Sequence, residues 1–273
     1  MVLAAPQPGI EPLASASLRR VALVLGGNGD IGSAAAMALA KTGCDLAIIG
    51  RRQESLETLA REIAERTGVT VLPVAVDVRH EDAAERVVGM VLQKLGRLDV
   101  LVSAAGEFKQ GSLLDLSPED WTNGFAAMFF GAVRFVKAAW PHLMERQGHV
   151  VLVTGIFATR PRATAALASA IAAALLNFSK SAAEQGMRDG VTVNAVLPGP
   201  VAGRRFDKQI ERFAAAQGLG LAEAAQAYAR TLGVDRASKP EEIAQAIAFL
   251  VSDTNTHIRG ASVVVDGGLT RSL

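Results

Sequence analysis

The sequence predicts a single doubly wound α/β fold, a parallel sheet with helices on both faces. Three observations lead there. Short β-branched runs alternate with helix-length segments along the chain. The first of these runs passes straight into a glycine-rich turn followed by an alanine-rich segment. No internal repeat, low-complexity tract or linker divides the chain. Its 273 residues are 50% hydrophobic and 20% charged, enough for one large unit with a sizeable buried core.

In order, the strands are predicted at residues 21–25, 45–49, 71–76, 98–102, 150–153, 191–196 and 262–265. Helix-length segments fall between them at 31–42, 54–66, 82–95, 118–146 and 163–187. Residues 204–238 break the rhythm. They are helical in character and inserted between the last two strands, where such a segment forms a lid over a site at the strand C-terminal ends. Residues 1–18, with prolines and small side chains, are predicted to be a flexible N-terminal arm, and 19–273 the folded unit. The arm has no basic region or apolar stretch suited to a signal peptide. The uncharged run at 163–178 is shorter than the ~20 residues of a membrane helix and is rich in alanine, so a buried helix is expected there.

Charge and cysteine usage exclude several classes. A net charge of +1 and a pI near 7.9 give no overall footprint for nucleic acid. The single cysteine, Cys44, forms no internal disulfide framework and fits a reducing, cytoplasmic location. His80, His142, His149 and His257 show no metal-ligand spacing.

The first strand leads into Gly26-Gly27-Asn28-Gly29-Asp30-Ile31-Gly32. Glycines let the backbone turn tightly and approach a phosphate, and the following helix offers free N–H groups and a positive dipole end to a pyrophosphate. The second strand ends Ile49-Gly50-Arg51. An acid there would hydrogen-bond the ribose 2′-hydroxyl of NAD; Gly50 supplies none, whereas the Arg51 guanidinium suits the 2′-phosphate of NADP.

The GGNGDIG turn, Asp77-Val78, the SAAG at 103–106, the VNAVLPGP at 193–200 and the VDGG at 265–268 occur in the order and at the spacing of the short-chain dehydrogenase/reductase (SDR) family, which the chain resembles from about residue 19 to 268. The loop departs from the family at Asp30, where a second glycine is usual. The resemblance implies NADP(H) held by Gly26, Asn28, Asp30, Ile31, Gly32 and Arg51. It also implies adenine contacts from Asp77 and Val78, a cofactor wall at Ala104, Ala105 and Gly106, and Pro198, Gly199 and Val201 beside the nicotinamide. A dimer or tetramer through the helices at 121–133 and 163–178 is likewise implied.

The same alignment removes the family's chemistry. Its asparagine, serine, tyrosine and lysine fall on Met128, Gly155, Ala168 and Ala172. Thr154 stands beside the serine position, and Gly203 replaces a threonine that normally touches the cofactor. The chain's one tyrosine, Tyr228, falls in the insertion. The AAGEF at 104–108 is similar to a dienoyl-CoA reductase motif, but the tyrosine of that branch falls on Phe157 and its lysine is absent. Two readings follow. One is an NADP(H)-binding protein without ordinary catalysis, acting as an accessory subunit alone or with an active SDR. The other is an unorthodox NADPH-dependent oxidoreductase acting on a carbonyl or an activated C=C such as an acyl-CoA. Glu107 and Lys109 are candidate proton carriers, and Arg160, Arg162, Arg204 and Arg205 are candidate holders of an acidic ligand. Membrane and nucleic-acid partners are not expected.

Overall fold

The structure, a computed structural model, describes residues 19–106 and 109–271. The arm expected at residues 1–18 and the candidate Glu107 lie outside the described residues. Seven parallel strands form one sheet, as the alternation of segments predicts, in the order β3-β2-β1-β4-β5-β6-β7 that the family resemblance implies. They are β1 (Val21–Leu25), β2 (Asp45–Gly50), β3 (Val71–Ala75), β4 (Val100–Ser103), β5 (His149–Val153), β6 (Thr192–Pro198) and β7 (Ser262–Val265).

Two helical layers cover the sheet, and strand alternation assigns the side chains to them. From β1, Val21, Leu23 and Leu25 point into one core with α3 (Ala83–Leu95), α5 (Gly131–Arg146) and α6 (Ala166–Asp189), where Val87, Phe135 and Leu143 are fully buried. Ala22 and Val24 point into the other, with α1 (Asp30–Lys41), α2 (Gln53–Thr67) and α9 (Pro240–Leu250), around Leu39, Leu56, Ile63 and Ile247. Each such large side chain contributes roughly 1.5–3 kcal/mol through burial. The sequence reading names no helix at α9. Its Pro240 opens the first turn, the Glu242 carboxylate accepts from the Lys239 N–H at 2.7 Å, and its apolar face fills the space beside α1.

Two other segments differ from expectation. The helix predicted at 118–146 is α4 (Pro118–Phe125), a π turn (Ala126–Phe130) and then α5. Such a bulge inserts an extra residue and often marks a functional site. Helix α6 begins at Ala166 because Ala165 is held in a bridge to Gly111, whose carbonyl accepts from the Ala166 N–H at 3.3 Å. It then continues to Asp189, so it is long and apolar enough to cross a membrane, with a mean hydropathy of 1.3. Half of that stretch is buried inside the protein, with Leu167, Ile171 and Leu175 packed against Met128 and Ala132.

The insertion forms α7 (Arg204–Gln217) and α8 (Leu221–Leu232). It carries a small core of Phe206, Ile210, Ala214 and Ala224, with the Tyr228 ring against Phe206 and Phe213 at centroid distances of 5.7 and 5.4 Å.

Candidate cofactor and active site

Because the strands are parallel, the turns after β1, β4, β5 and β6 all leave the same edge of the sheet. Strand order reverses between β1 and β4, which opens a crevice there. The turn after β1 forms one wall. Gly26 has φ +74°, and a Cβ on it would lie 2.8 Å from the Ala104 carbonyl oxygen; a Cβ on Gly32 would lie 2.0 Å from the Gly26 oxygen. Neither position admits a side chain, and the backbone of the turn is thereby pressed against the start of α1. The Gly29 N–H donates to the Gly26 carbonyl at 2.9 Å, and Gly29 at the N-cap presents no side-chain acceptor to the helix N-terminus. Ile31 packs into the core beneath.

At the β2 end, the space an acid would fill is already taken. A Cβ on Gly50 would lie 2.5 Å from Asn28 Oδ1, and Asn28 Nδ2 donates to Ser55 Oγ at 2.8 Å. Asn28 therefore joins the glycine turn to α2 beside exposed Arg51. Ser55 was not singled out from the sequence; its signal is its place in the first turn of the helix that follows Gly50-Arg51.

Asp77 is positioned but engaged. Arg79 Nε donates to both carboxylate oxygens at 3.0 Å and Nη2 to Oδ2 at 2.6 Å. These bonds hold the carboxyl down at about 2. Val78 packs against the start of α5, with its Cγ2 3.1 Å from where a Gly131 Cβ would be. Ala104 continues the sheet through its N–H to the Leu25 carbonyl at 3.0 Å, and Ala105 and Gly106 extend that wall. Pro198 ends β6. The Gly199 N–H donates to the Val265 carbonyl at 2.9 Å, and a Cβ there would lie 2.7 Å from that of Asp266. Val201 is bridged to Ser238, which ties the β6 turn to the base of the lid.

The wall after β4 and β5 is apolar. Met128 points inward from the π turn, 7% exposed, and its Cε would be 3.1 Å from a Cβ on Gly106. Ala168 and Ala172 on α6 are 4% and 3% exposed. Gly155 has φ +131°, a conformation that side-chain-bearing residues rarely adopt. Nearby hydroxyls are committed to backbone: Thr154 Oγ1 to the Val196 carbonyl at 3.4 Å and Ser169 Oγ to the Ala165 carbonyl at 2.8 Å. Phe157 lies in the short 3₁₀ turn Ile156–Ala158 that follows Gly155.

The four candidate arginines do not form one cluster. Arg160 donates to the Leu269 carbonyl and lines a cleft with Thr159, Thr270 and Arg271. Arg162 faces the lid, where burial pushes the Tyr228 phenol up and the Arg162 charge pulls partly back. Tyr228 Oη donates to Gln209 Oε1 at 2.8 Å. Arg204 and Arg205, at the start of α7, instead reach the crevice. Arg204 Nη2 donates to the Asn28 carbonyl at 3.0 Å and Arg205 Nη2 to that of Gly106 at 2.8 Å. Lys109 pairs with Asp120 at 2.9 Å, and Asp120 caps α4, so this lysine serves the helix start. Among the described residues no group of histidines, cysteines or acids could hold a metal.

Comparison with known proteins agrees with this geometry. Residues 27–270 match the family described as enoyl-(acyl carrier protein) reductase. The short-chain reductase protein NovJ of Streptomyces niveus is 32% identical over 92% of this chain and 94% of its own length. Among solved structures, L-sorbose reductase of Gluconobacter frateurii, complexed with NADPH and L-sorbose, superposes with a TM-score of 0.89 at 29% identity, over 93% of this chain and 98% of that one. An NADPH-bound short chain oxidoreductase of Pseudomonas aeruginosa PAO1 containing an atypical catalytic center gives a TM-score of 0.87 at 28% identity, over 93% and 98%. On its fold, its motifs and these relatives, the chain belongs to the short-chain dehydrogenase/reductase family of oxidoreductases.

Proposed function

We propose that this protein is an NADP(H)-dependent oxidoreductase that works without a tyrosine–lysine pair, on an activated C=C or, less readily, a carbonyl. The observation that carries the reading is the contrast between a close-fitted nucleotide turn and an apolar reaction wall. The nucleotide end fits NADP(H). Gly26 and Gly32 form a cradle that a Cβ would fill, the helix N-terminus beyond it is open to an anion, and Arg51 follows a Gly50 whose side-chain space is occupied by Asn28. NADPH bound in two related structures supports the same assignment.

When bound, NADPH supplies a hydride. The residues of this chain then have to hold the acceptor and manage charge. Met128, Gly155, Ala168 and Ala172 offer no proton, and losing a positioned general acid costs ~10²–10⁴ in rate. That loss weighs most on a ketone, whose oxygen develops a full alkoxide charge. It weighs less on a C=C conjugated to a carbonyl or thioester, because the charge is carried as an enolate and protonation can come later from water. The related oxidoreductase with an atypical catalytic center supports chemistry on this scaffold by other groups.

The test is NADPH oxidation by the purified protein, first with simple ketones and then with α,β-unsaturated thioesters and enones. We expect turnover with the second class to far exceed that with the first. Robust reduction of a simple ketone would overturn the reading. Inertness toward both classes, with NADPH binding verified separately, would favour a second reading, a non-catalytic accessory subunit paired with itself or with an active relative. The four apolar replacements are the observation that favours it. Phe130, 48% exposed at the end of the π turn, supports assembly through that face as a homo-oligomer.

A further inference from the structure

Two departures from the family pattern, Asp30 and Gly203, are 173 positions apart, yet the structure puts them in contact. Asp30 opens α1 at the phosphate turn, and Gly203 precedes the lid helix α7. Gly203 has φ +133°, and a Cβ on it would lie 2.5 Å from both Cγ and Oδ2 of Asp30. A threonine at position 203 is therefore incompatible with the Asp30 carboxylate as placed. The next residue completes the set. Arg204 Nε lies 3.6 Å from Asp30 Oδ1 and its Nη2 donates to the Asn28 carbonyl at 3.0 Å. Its guanidinium thus spans the mouth of the glycine turn from residue 28 to residue 30.

An acid at a helix N-terminus is favourable by itself. At this helix, however, it stands where a diphosphate would approach, and like charges a few ångströms apart repel. Arg204 neutralises that acid and adds donors on the same side of the crevice. Arg205 contacts the opposite wall through the Gly106 carbonyl at 2.8 Å, which fixes the start of α7 across the crevice. The usual contacts from lysine and threonine are absent at Ala172 and Gly203, so a cation from the lid compensates for what those positions lack.

Resting on the dinucleotide reading above, we propose that Asp30 and Arg204 form a charge couple in the cofactor site. In it Arg204 is a binding residue for the diphosphate, and Gly203 is glycine so that the couple can close. Arg204 keeps more than half its side-chain surface accessible, 59%, and can turn its free donors to a phosphate while staying beside Asp30.

A double-mutant cycle read by calorimetry with NADPH tests this. A hydrogen bond to a charged partner corresponds to roughly 10–100-fold in affinity. Arg204→Ala is expected to weaken NADPH binding by about that factor. Asp30→Asn is expected to leave binding equal or tighter, and in the Arg204→Ala background to recover most of the loss. Gly203→Thr is expected to weaken binding through both the positive φ at 203 and the Asp30 carboxylate it meets, and Asp30→Gly relieves only the second. Circular dichroism melting of each variant separates a folding defect from a binding defect. If the native protein binds NADPH and Arg204→Ala binds equally well, or if Asp30→Asn changes affinity by the same factor with and without Arg204, the charge couple is overturned and the dinucleotide site stands. If the native protein binds neither NADPH nor NADH, the dinucleotide reading itself falls.

Discussion

The two ends of the crevice were built under different constraints. At the nucleotide end, side chains are excluded by backbone: a Cβ on Gly32 would lie 2.0 Å from the Gly26 oxygen, so nothing larger than hydrogen fits while the turn keeps its shape. At the reaction end, side chains are small or apolar although polar ones are the family's habit, and the space has closed over them. Ala168 and Ala172 are 4% and 3% exposed, and Met128 fills the floor beneath Gly106. A site that had merely lost its function would be free to drift at both ends. Here the glycine turn keeps its form, and the two departures at the nucleotide end, Asp30 and Gly203, are fitted to one another.

The strongest way to break this comparison is to rebuild the reaction end. Gly155→Ser, Ala168→Tyr and Ala172→Lys together restore the family's residue types. We expect no recovery of ketone reduction and a loss of at least about 3 kcal/mol in urea unfolding. The backbone at 155, with φ +131°, disfavours a side chain by ~1–3 kcal/mol, and forcing large groups into closed packing costs ~1–3 kcal/mol each. Clear ketone turnover by this variant would show that the wall is a working pocket missing only its proton donor.

The next effect separates the scaffold from the site. His149 begins β5, the strand whose other end leads to Gly155. It is 8% exposed with Nδ1 unpartnered, and burial drives its pKa down from 6.5 to about 4. The unfolded chain therefore takes up a proton first as pH falls. The stability associated with neutral His149 is full above about pH 6.5, declines through the window down to about pH 4, and is gone below it. A shift of this size corresponds to about 3 kcal/mol at most. Replacing His149 with Gln should flatten the acid-side fall in Tm between these values while leaving NADPH affinity near neutral pH unaltered. An unchanged pH profile would place the acid sensitivity elsewhere.

The smallest expected effect sharpens the nucleotide end. Removing the Arg51 side chain with alanine should weaken NADP(H) by ~10-fold, about 1.4 kcal/mol, and leave NAD(H) binding unchanged, because only the 2′-phosphate needs the charge. Equal losses for both cofactors in calorimetry would reassign Arg51 to the local fold. Gly50→Asp, the obvious route to an NAD preference, should fail unless Asn28 moves as well, since Asn28 Oδ1 already stands 2.5 Å from the position of that Cβ.

Much of the fold could be read directly along the chain. Strand alternation and helix period are local properties, and a run such as Val21–Leu25 followed by a glycine turn carries its own parallel-sheet context, so a parallel sheet was open to prediction; the order of its strands came with the family resemblance. Met128, Gly155, Ala168 and Ala172 were singled out by the family resemblance, and the structure places them on the π turn, after β5 and on α6. Boundaries were less legible. The start of α6 is set by the bridge from Ala165 to Gly111, a contact made by a distant loop.

What the sequence by itself determined, then, is the sheet, the phosphate turn and the absence of an acid at the end of β2. The tertiary structure decided how those parts are used. Only packing could place the Asn28 amide in the space beside Gly50, send Arg160 to the Leu269 carbonyl and Arg204 to the glycine turn, and set Gly203 against Asp30. Each of these is a juxtaposition of groups whose chain separation carries no periodic signal. A local pattern fixes which way a residue faces along its own element, and the closing of elements onto one another fixes what it meets there.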